Sequence, residues 1–230
     1  YGSNPDCDIR YSQVQYEESK TTFIINSEEF SIKDKSVEIS LYGEKNVSNA
    51  TGVIAMCLRL GFEFQAICDA ISGYTGAKRR FELKFFEQDI YLFDDYAHHP
   101  AEIEATIKAI QTRFPNRRNI VIFQPHTYSR TAQFCEEFVE SLSLADQVLL
   151  LPIFASAREK GSNDSITSEK LVQVAREKSI QHILSFPSEK ELLLNLKKNI
   201  GSGDLILTMG AGNVYKMEGE IRKLVVEIRG

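Results

Sequence analysis

The spacing of apolar residues changes character near residue 75. Before that point, residues 8–42 read as β-structure broken by polar turns. The stretch 22–26 is β-branched and aromatic, a short polar turn separates it from 30–32, and 37–42 alternates like a half-buried strand. Between residues 46 and 60, Val47, Ala50, Val53, Ile54, Cys57, Leu58 and Leu60 follow helical spacing, and Gly61 stands where a helix would stop. A second short helix is predicted over 63–71. After residue 75, strands and helices alternate. Strands are predicted at 81–86, 89–93, 119–123, 147–151, 182–184 and 204–208. Helices are predicted at 100–114, 131–142, 167–178, 190–199 and 215–226. Alternation of this kind builds βαβ units, so the fold class is α/β, a mostly parallel sheet with flanking helices. Residues 76–230 carry an all-but-complete domain of this type, and residues 1–75 are expected to be part of another.

Composition narrows the function. With 43% hydrophobic and 26% charged residues, the 230-residue chain has the makeup of an ordinary globular protein. A net charge of −5 argues against a general nucleic-acid-binding surface. Cys7, Cys57, Cys68 and Cys135 are scattered with no C-x-x-C pair, which argues against a zinc site or a disulfide framework and fits a reducing compartment. No signal peptide or membrane-spanning run occurs, so a cytoplasmic setting is expected. The chain opens on Tyr1 and a turn-rich stretch, and is expected to have been cut from a longer one.

Candidate chemistry collects where strands end, as it does in open α/β sheets. The first such segment is Asp94-Asp95-Tyr96-Ala97-His98-His99-Pro100, a dense group of carboxylates, a phenol and imidazoles. It reads either as an acid–base cluster or as a solvated turn capping the next helix. The second is Gln124-Pro125-His126-Thr127-Tyr128-Ser129-Arg130-Thr131, where a helix start and a guanidinium could meet an anion, or Ser129 or Thr131 could simply cap the helix. Met209-Gly210-Ala211-Gly212-Asn213 is the third. It falls short of G-x-G-x-x-G because Tyr215 takes the third glycine's place, and a tight packed turn is the better reading. Lys78-Arg79-Arg80 is either a solvated basic triplet or a ligand site. Asn46 and Asn49 share one helix face.

These segments, with Gly43-Glu44-Lys45-Asn46-Val47-Ser48-Asn49-Ala50 and Gly76-Ala77-Lys78-Arg79-Arg80-Phe81-Glu82, resemble the Mur ligase family in order and spacing over nearly the whole chain. The D-D-Y-x-H-H-P and Q-P-H-x-Y-S-R-T pair is most similar to the alanine-adding branch, with the tripeptide-adding recycling branch second. The resemblance implies a Rossmann-like C-terminal domain (76–230) preceded by the end of a central ATPase domain (1–75). It implies an ATP- and Mg2+-dependent ligase of cell-wall synthesis that joins L-alanine to UDP-N-acetylmuramate through an acyl phosphate. By the same similarity, Asn46 and Asn49 would line the adenine pocket. Arg80, with Arg79, would face the nucleotide phosphates, and Asp95 would orient the nucleotide. Tyr96, His98 and Arg130 would hold the incoming alanine and the acyl end of the muramate, with His126 in support.

Three features depart from that pattern. Thr127 stands where many members of the branch carry Arg, and Lys45 where many carry His. No G-x-x-x-x-G-K-[ST] phosphate loop occurs in the 230 residues, so this stretch by itself is expected to be inactive. A competing reading is a stand-alone module that binds a nucleotide or amino acid.

Overall fold

The alternating segments at the start of the chain pair with one another. In the computed structural model, which describes residues 1–17, 20–155 and 166–227, strands β1 (Arg10–Tyr16), β2 (Thr21–Ser27) and β3 (Ile32–Ile39) form an antiparallel sheet in the order β1-β2-β3. Every second residue of β2 is buried, as period-two alternation requires. Phe23, Ile25, Val37 and Ile39 share a core with Val47, Ile54 and Leu58 of helix α1 (Glu44–Arg59) and Ile67 of α2 (Phe64–Ser72). Gly43, just before α1, has φ of 86°, a conformation that glycine adopts without strain. This unit, Tyr1–Ala77, therefore has a core of its own.

The second compact unit, Lys78–Gly230, is built on a six-stranded sheet. Its strands are β4 (Glu82–Glu87), β5 (Ile90–Asp95), β6 (Arg118–Phe123), β7 (Gln147–Leu150), β8 (Ile183–Ser185) and β9 (Asp204–Met209), in the order β4-β5-β9-β6-β7-β8. Only the β4–β5 pair is antiparallel. β5 and β9 are buried along their whole length, the signature of central strands covered on both faces. Side chains divide by the pleat. Phe93, Phe123 and Leu207 pack towards α3 (Pro100–Arg113), α5 (Cys135–Leu142) and α6 (Ser168–Glu177). Leu92, Ile122 and Ile206 pack towards α7 (Glu189–Asn199) and α8 (Glu218–Glu227).

Most boundaries lie within a residue or two of those expected; the segments expected at 30–32 and 37–42 instead contribute to one strand, β3, and three further differences are informative. The helix expected at 131–142 is two helices, α4 (Tyr128–Gln133) and α5, broken at Phe134, whose φ and ψ are −115° and 30°. The Phe134 ring packs edge-on against His99 at 4.8 Å, and that contact coincides with the break. The last helix begins as a 3-10 turn, Val214–Met217, before α8. β5 runs on through Asp94 and Asp95, which the sequence reading placed after its end; both pair in register with β9.

Leu207 lies at 0% exposure in the central strand, whereas Leu194 on α7 is 52% exposed. Leu207→Ala is expected to destabilise the protein by roughly 2–5 kcal/mol, and Leu194→Ala by less than about 0.5 kcal/mol. Urea unfolding followed by circular dichroism measures both. Equal costs would mean that the sheet face is not packed as described.

Candidate active site at the carboxyl edge of the parallel sheet

The three polar segments end three neighbouring strands. Asp95 pairs with Met209, and Phe123 pairs with the same Met209 from the other side. The ends of β5, β9 and β6 are thus level, at the point where the strand order reverses. Doubly wound sheets place their ligand crevices at such switch points.

Two adjacent carboxylates form the floor. Asp94 is 2% exposed; its Oδ1 accepts from the Thr208 hydroxyl at 2.7 Å, and its Oδ2 pairs with Arg79 Nε at 3.1 Å. Asp95 is 6% exposed, and its two oxygens accept the backbone N–H groups of Ala97, at 2.7 Å, and Phe81, at 2.8 Å. Burial pushes the Asp95 carboxyl up to about 6, against the pull of those two N–H groups and of Arg80. Burial also raises Asp94, despite the Thr208 hydroxyl and the Arg79 charge. With both oxygens engaged by the chain, Asp95 holds the 79–81 loop against the 96–97 loop.

Above this floor, His98 Nδ1 lies 3.0 Å from the Tyr96 carbonyl. A carbonyl only accepts, so the neutral ring carries its proton on Nδ1 and keeps Nε2 as its basic nitrogen. Glu102, one helical turn on, accepts the His98 backbone N–H at 3.0 Å and has Oε2 3.4 Å from His98 Nδ1. Burial works to raise the Glu102 carboxyl, but the His98 N–H bond and the His98 charge outweigh it and leave it below the ordinary range. The Tyr96 and His98 rings meet edge-on at 5.1 Å, and the His98 and His126 rings at 6.5 Å. His126 stacks on Phe154 at 5.7 Å.

The segment after β6 is held under strain. Thr127 has φ of 69°, unusual for a β-branched residue, and its N–H donates to the Phe154 carbonyl at 3.0 Å. It precedes α4 without a side-chain cap, and neither Ser129 nor Thr131 occupies the capping position. Thr131 instead donates its hydroxyl back to the Thr127 carbonyl at 2.7 Å. Arg130 follows within α4. Its Nη1 is buried with no acceptor among the described residues. A buried guanidinium N–H left without an acceptor costs about 1–3 kcal/mol or more, so it suits an anionic group brought by a ligand.

The glycine turn is a packed turn. Gly210 has φ of 138°, and a Cβ there would stand 2.5 Å from the Gln124 carbonyl oxygen; one on Gly212 would stand 2.6 Å from Gln124 Oε1. Gly210 and Gly212 offer their carbonyls to the Arg79 guanidinium.

The nine expected site residues are therefore distributed unevenly. Tyr96, His98 and His126 share one ring cluster, and Asp95 is in the floor. Arg130 stands in α4. Arg80 is exposed, with its guanidinium 5.6 Å from the Tyr96 ring centre, whereas Arg79 turns inward. Asn46 and Asn49 belong to the first unit, where the Asn46 amide donates to the Tyr42 carbonyl at 2.7 Å rather than capping α1, and Asn49 is exposed. Glu102 and Tyr215 were missed. Each had a signal: Glu102 lies four residues after His98 on a helix, and Tyr215 is the aromatic that interrupts the glycine pattern.

Residues 79–212, more than half of the chain, match the family described as "Mur ligase, glutamate ligase domain". The chain belongs to the Mur ligase family. It is 34% identical over 217 residues to the UDP-N-acetylmuramate–L-alanine ligase of Desulfitobacterium hafniense, covering 94% of this chain and 47% of the relative. It is 44% identical over 180 residues to the ligase of the same name from Lactobacillus delbrueckii subsp. bulgaricus, covering 78% and 38%. The crystal structure of a UDP-N-acetylmuramate–alanine ligase from Thermotoga maritima shares the fold, with a TM-score of 0.74 at 22% identity over 98% of this chain and 47% of that one. The chain spans about half the length of the curated relatives it matches.

Asp95 generates a pH prediction. Its folded value of about 6 lies above the ordinary aspartate value, so the native state holds the proton more tightly. It contributes stability that is complete below about pH 4 and lost as pH rises through about 6. The stability of the wild type relative to Asp95→Asn is expected to fall by up to about 3 kcal/mol across that window. Chemical unfolding at a series of pH values measures it, and a difference independent of pH would reject the buried carboxyl.

Proposed function

We propose that this chain is the amino-acid-handling part of an ATP-dependent ligase that joins L-alanine to UDP-N-acetylmuramate through an acyl phosphate, in the cytoplasmic stage of peptidoglycan synthesis. The observation that carries the reading is the convergence of Asp95, Tyr96, His98 and His126 at level strand ends, beside a helix whose Arg130 Nη1 is buried with no acceptor among the described residues. The names of the relatives supply the substrates. Four free cysteines accompany the cytoplasmic reading, and among the described residues no helix is long and apolar enough to cross a membrane. The competing binding-module reading has only the fold in its favour.

In this reading Arg130 pairs with a carboxylate, and Tyr96 and His98 border the same ligand. His98 Nε2, left basic by the Nδ1 bond, takes a proton from the alanine ammonium; the freed amine attacks the acyl-phosphate carbonyl, and inorganic phosphate leaves as the C–N bond forms. Arg80 meets nucleotide phosphate with a solvent-facing guanidinium. ATP supplies the phosphoryl group that activates the muramate carboxylate. Mg2+ belongs to the proposed enzyme, but among the described residues no group of three or more His, Cys, Asp or Glu side chains could hold a metal ion. Asn46 and Asn49 are proposed as adenine contacts. No phosphate loop lies within these residues, so they alone are not proposed to be active.

The full-length protein is expected to release ADP and phosphate from ATP only when both UDP-N-acetylmuramate and L-alanine are present. Turnover with a peptide but not with alanine would move the assignment to the tripeptide-adding branch. In that enzyme His98→Ala or Arg130→Ala is expected to lower kcat/KM for alanine by about 10- to 150-fold, the loss of one polar or charge-assisted contact. Wild-type alanine kinetics in both variants would refute their placement.

Arg80→Ala is expected to act mainly on the KM for ATP, measured at saturating muramate substrate. The alternative, an arginine that only meets solvent, would leave the kinetics alone and change stability by less than about 0.5 kcal/mol.

A further inference from the structure

The Lys78-Arg79-Arg80 triplet contains two arginines with opposite surroundings. Arg80 is exposed. Arg79 is not: all three of its guanidinium nitrogens already donate, Nε to Asp94 at 3.1 Å, Nη1 to the Gly212 carbonyl at 3.4 Å and Nη2 to the Gly210 carbonyl. Both aromatic neighbours of the plane are close, with Tyr215 at 4.3 Å and Tyr96 at 5.0 Å. The backbone takes part as well, since the Arg79 carbonyl accepts the Tyr96 N–H at 2.7 Å. Arg79 and Phe81 both have left-handed φ, 59° and 51°. Such conformations cost about 1 kcal/mol or more apiece and persist only where the surroundings over-determine them.

We propose that Arg79 is a positioning residue, not a phosphate ligand: it clasps the ends of β5 and β9 and thereby fixes the Tyr96 backbone and ring. A planar guanidinium with a fork of donors can hold one carboxylate and two carbonyls at once, and a lysine ammonium has no such plane. Asp94 is the clasp's anchor. Its burial beside a single cation makes loss of either partner disruptive, because the survivor is left as an uncompensated charge. The inference deepens the ligase reading and rests on it for its kinetic half.

The test uses the full-length protein with Arg79→Gly, Arg79→Lys and Asp94→Asn, and Arg80→Ala for comparison. Arg79→Gly is informative because glycine relieves the left-handed backbone while removing the clasp, so any loss is due to the side chain. Expected results are a fall in kcat of about tenfold or more in Arg79→Gly and Asp94→Asn, with the Kd for ADP by calorimetry within about threefold of wild type. Arg80→Ala is expected to show the reverse split. Combining Arg79→Gly with Asp94→Asn is expected to cost little beyond either alone, since both open the same clasp. Amide exchange at Tyr96 is expected to accelerate in both single variants and not in Arg80→Ala. If Arg79→Gly does not fold, Arg79→Lys carries the same tests with smaller effects. Weakening of ADP by tenfold or more with kcat retained would make Arg79 a phosphate ligand and overturn the proposal, as would Tyr96 exchange unchanged in every variant. A wild-type protein without alanine-dependent turnover would sink the ligase reading instead, while the exchange data would still decide the clasp.

Discussion

Strand β9 comes last in the sheet by sequence and lies between two strands made long before it. Its residues 205–209 pair with 91–95 on one side and 119–123 on the other. Until it arrives, β5 and β6 each present an unpaired inner edge, with backbone donors and acceptors that must find partners when buried. Such long-range parallel pairing forms slowly, because loop closure precedes the contacts that reward it. The site inherits this dependence. Asp95, Met209 and Phe123 lie level only because β9 is in register with both neighbours, and a slip of one residue would turn every side chain of β9 to the wrong face.

At the level end of these strands the protein buries two consecutive carboxylates and satisfies them by different means. Asp94 has a cation and a hydroxyl, while Asp95 has two backbone N–H groups. In both, burial outweighs the compensating contacts, so both are raised. Two like charges side by side would be costlier still, and the unequal partners keep them distinct. Asp94 stays tied to Arg79, and Asp95 is the one held near 6, where a small change of surroundings decides its charge. Its Coulombic partner Arg80 is exposed, so the protonation of Asp95 is sensitive to whatever meets that guanidinium.

Much of the second unit is legible in the sequence because buried parallel strands leave unbroken apolar runs and the helices between them keep their period. The three polar segments were likewise visible as places where those runs stop. What the sequence does not carry is adjacency. Nothing in the segment after residue 208 says that it ends between the other two rather than at a sheet edge. The break at Phe134 was hidden for a similar reason: apolar spacing continues across it, and the start of α4 is set by Thr127 bonding to Phe154, a contact made across the fold. The distinction between Arg79 and Arg80 depends on backbone φ and on carbonyls more than 130 residues away. No local signal separates two arginines in a row. In the first unit the sequence marks the strands but not their partners, which are one another, in an antiparallel sheet over two helices.

The glycine turn after β9 shows how a familiar pattern can carry the opposite electrostatic sign. A phosphate cradle needs backbone N–H groups aimed at the ligand. Here the Gly210 N–H donates to the Asp95 carbonyl at 3.2 Å and the Asn213 N–H to Gln124 Oε1 at 3.0 Å, so two of the turn's donors are already engaged. What the turn offers outward is the carbonyls of Gly210 and Gly212, and these face the Arg79 guanidinium. It therefore attracts a cation belonging to the protein, not an anion belonging to a ligand. Under the proposed function, anion binding in this unit would then fall to side-chain guanidiniums, Arg80 in the open and Arg130 partly buried. The two differ in kind. An exposed guanidinium acts through a field that salt screens within about 8–10 Å, whereas a buried N–H without an acceptor acts at contact and is screened far less. In the proposed ligase, selection among anions by shape and distance would accordingly rest with Arg130, and long-range attraction of charge with Arg80.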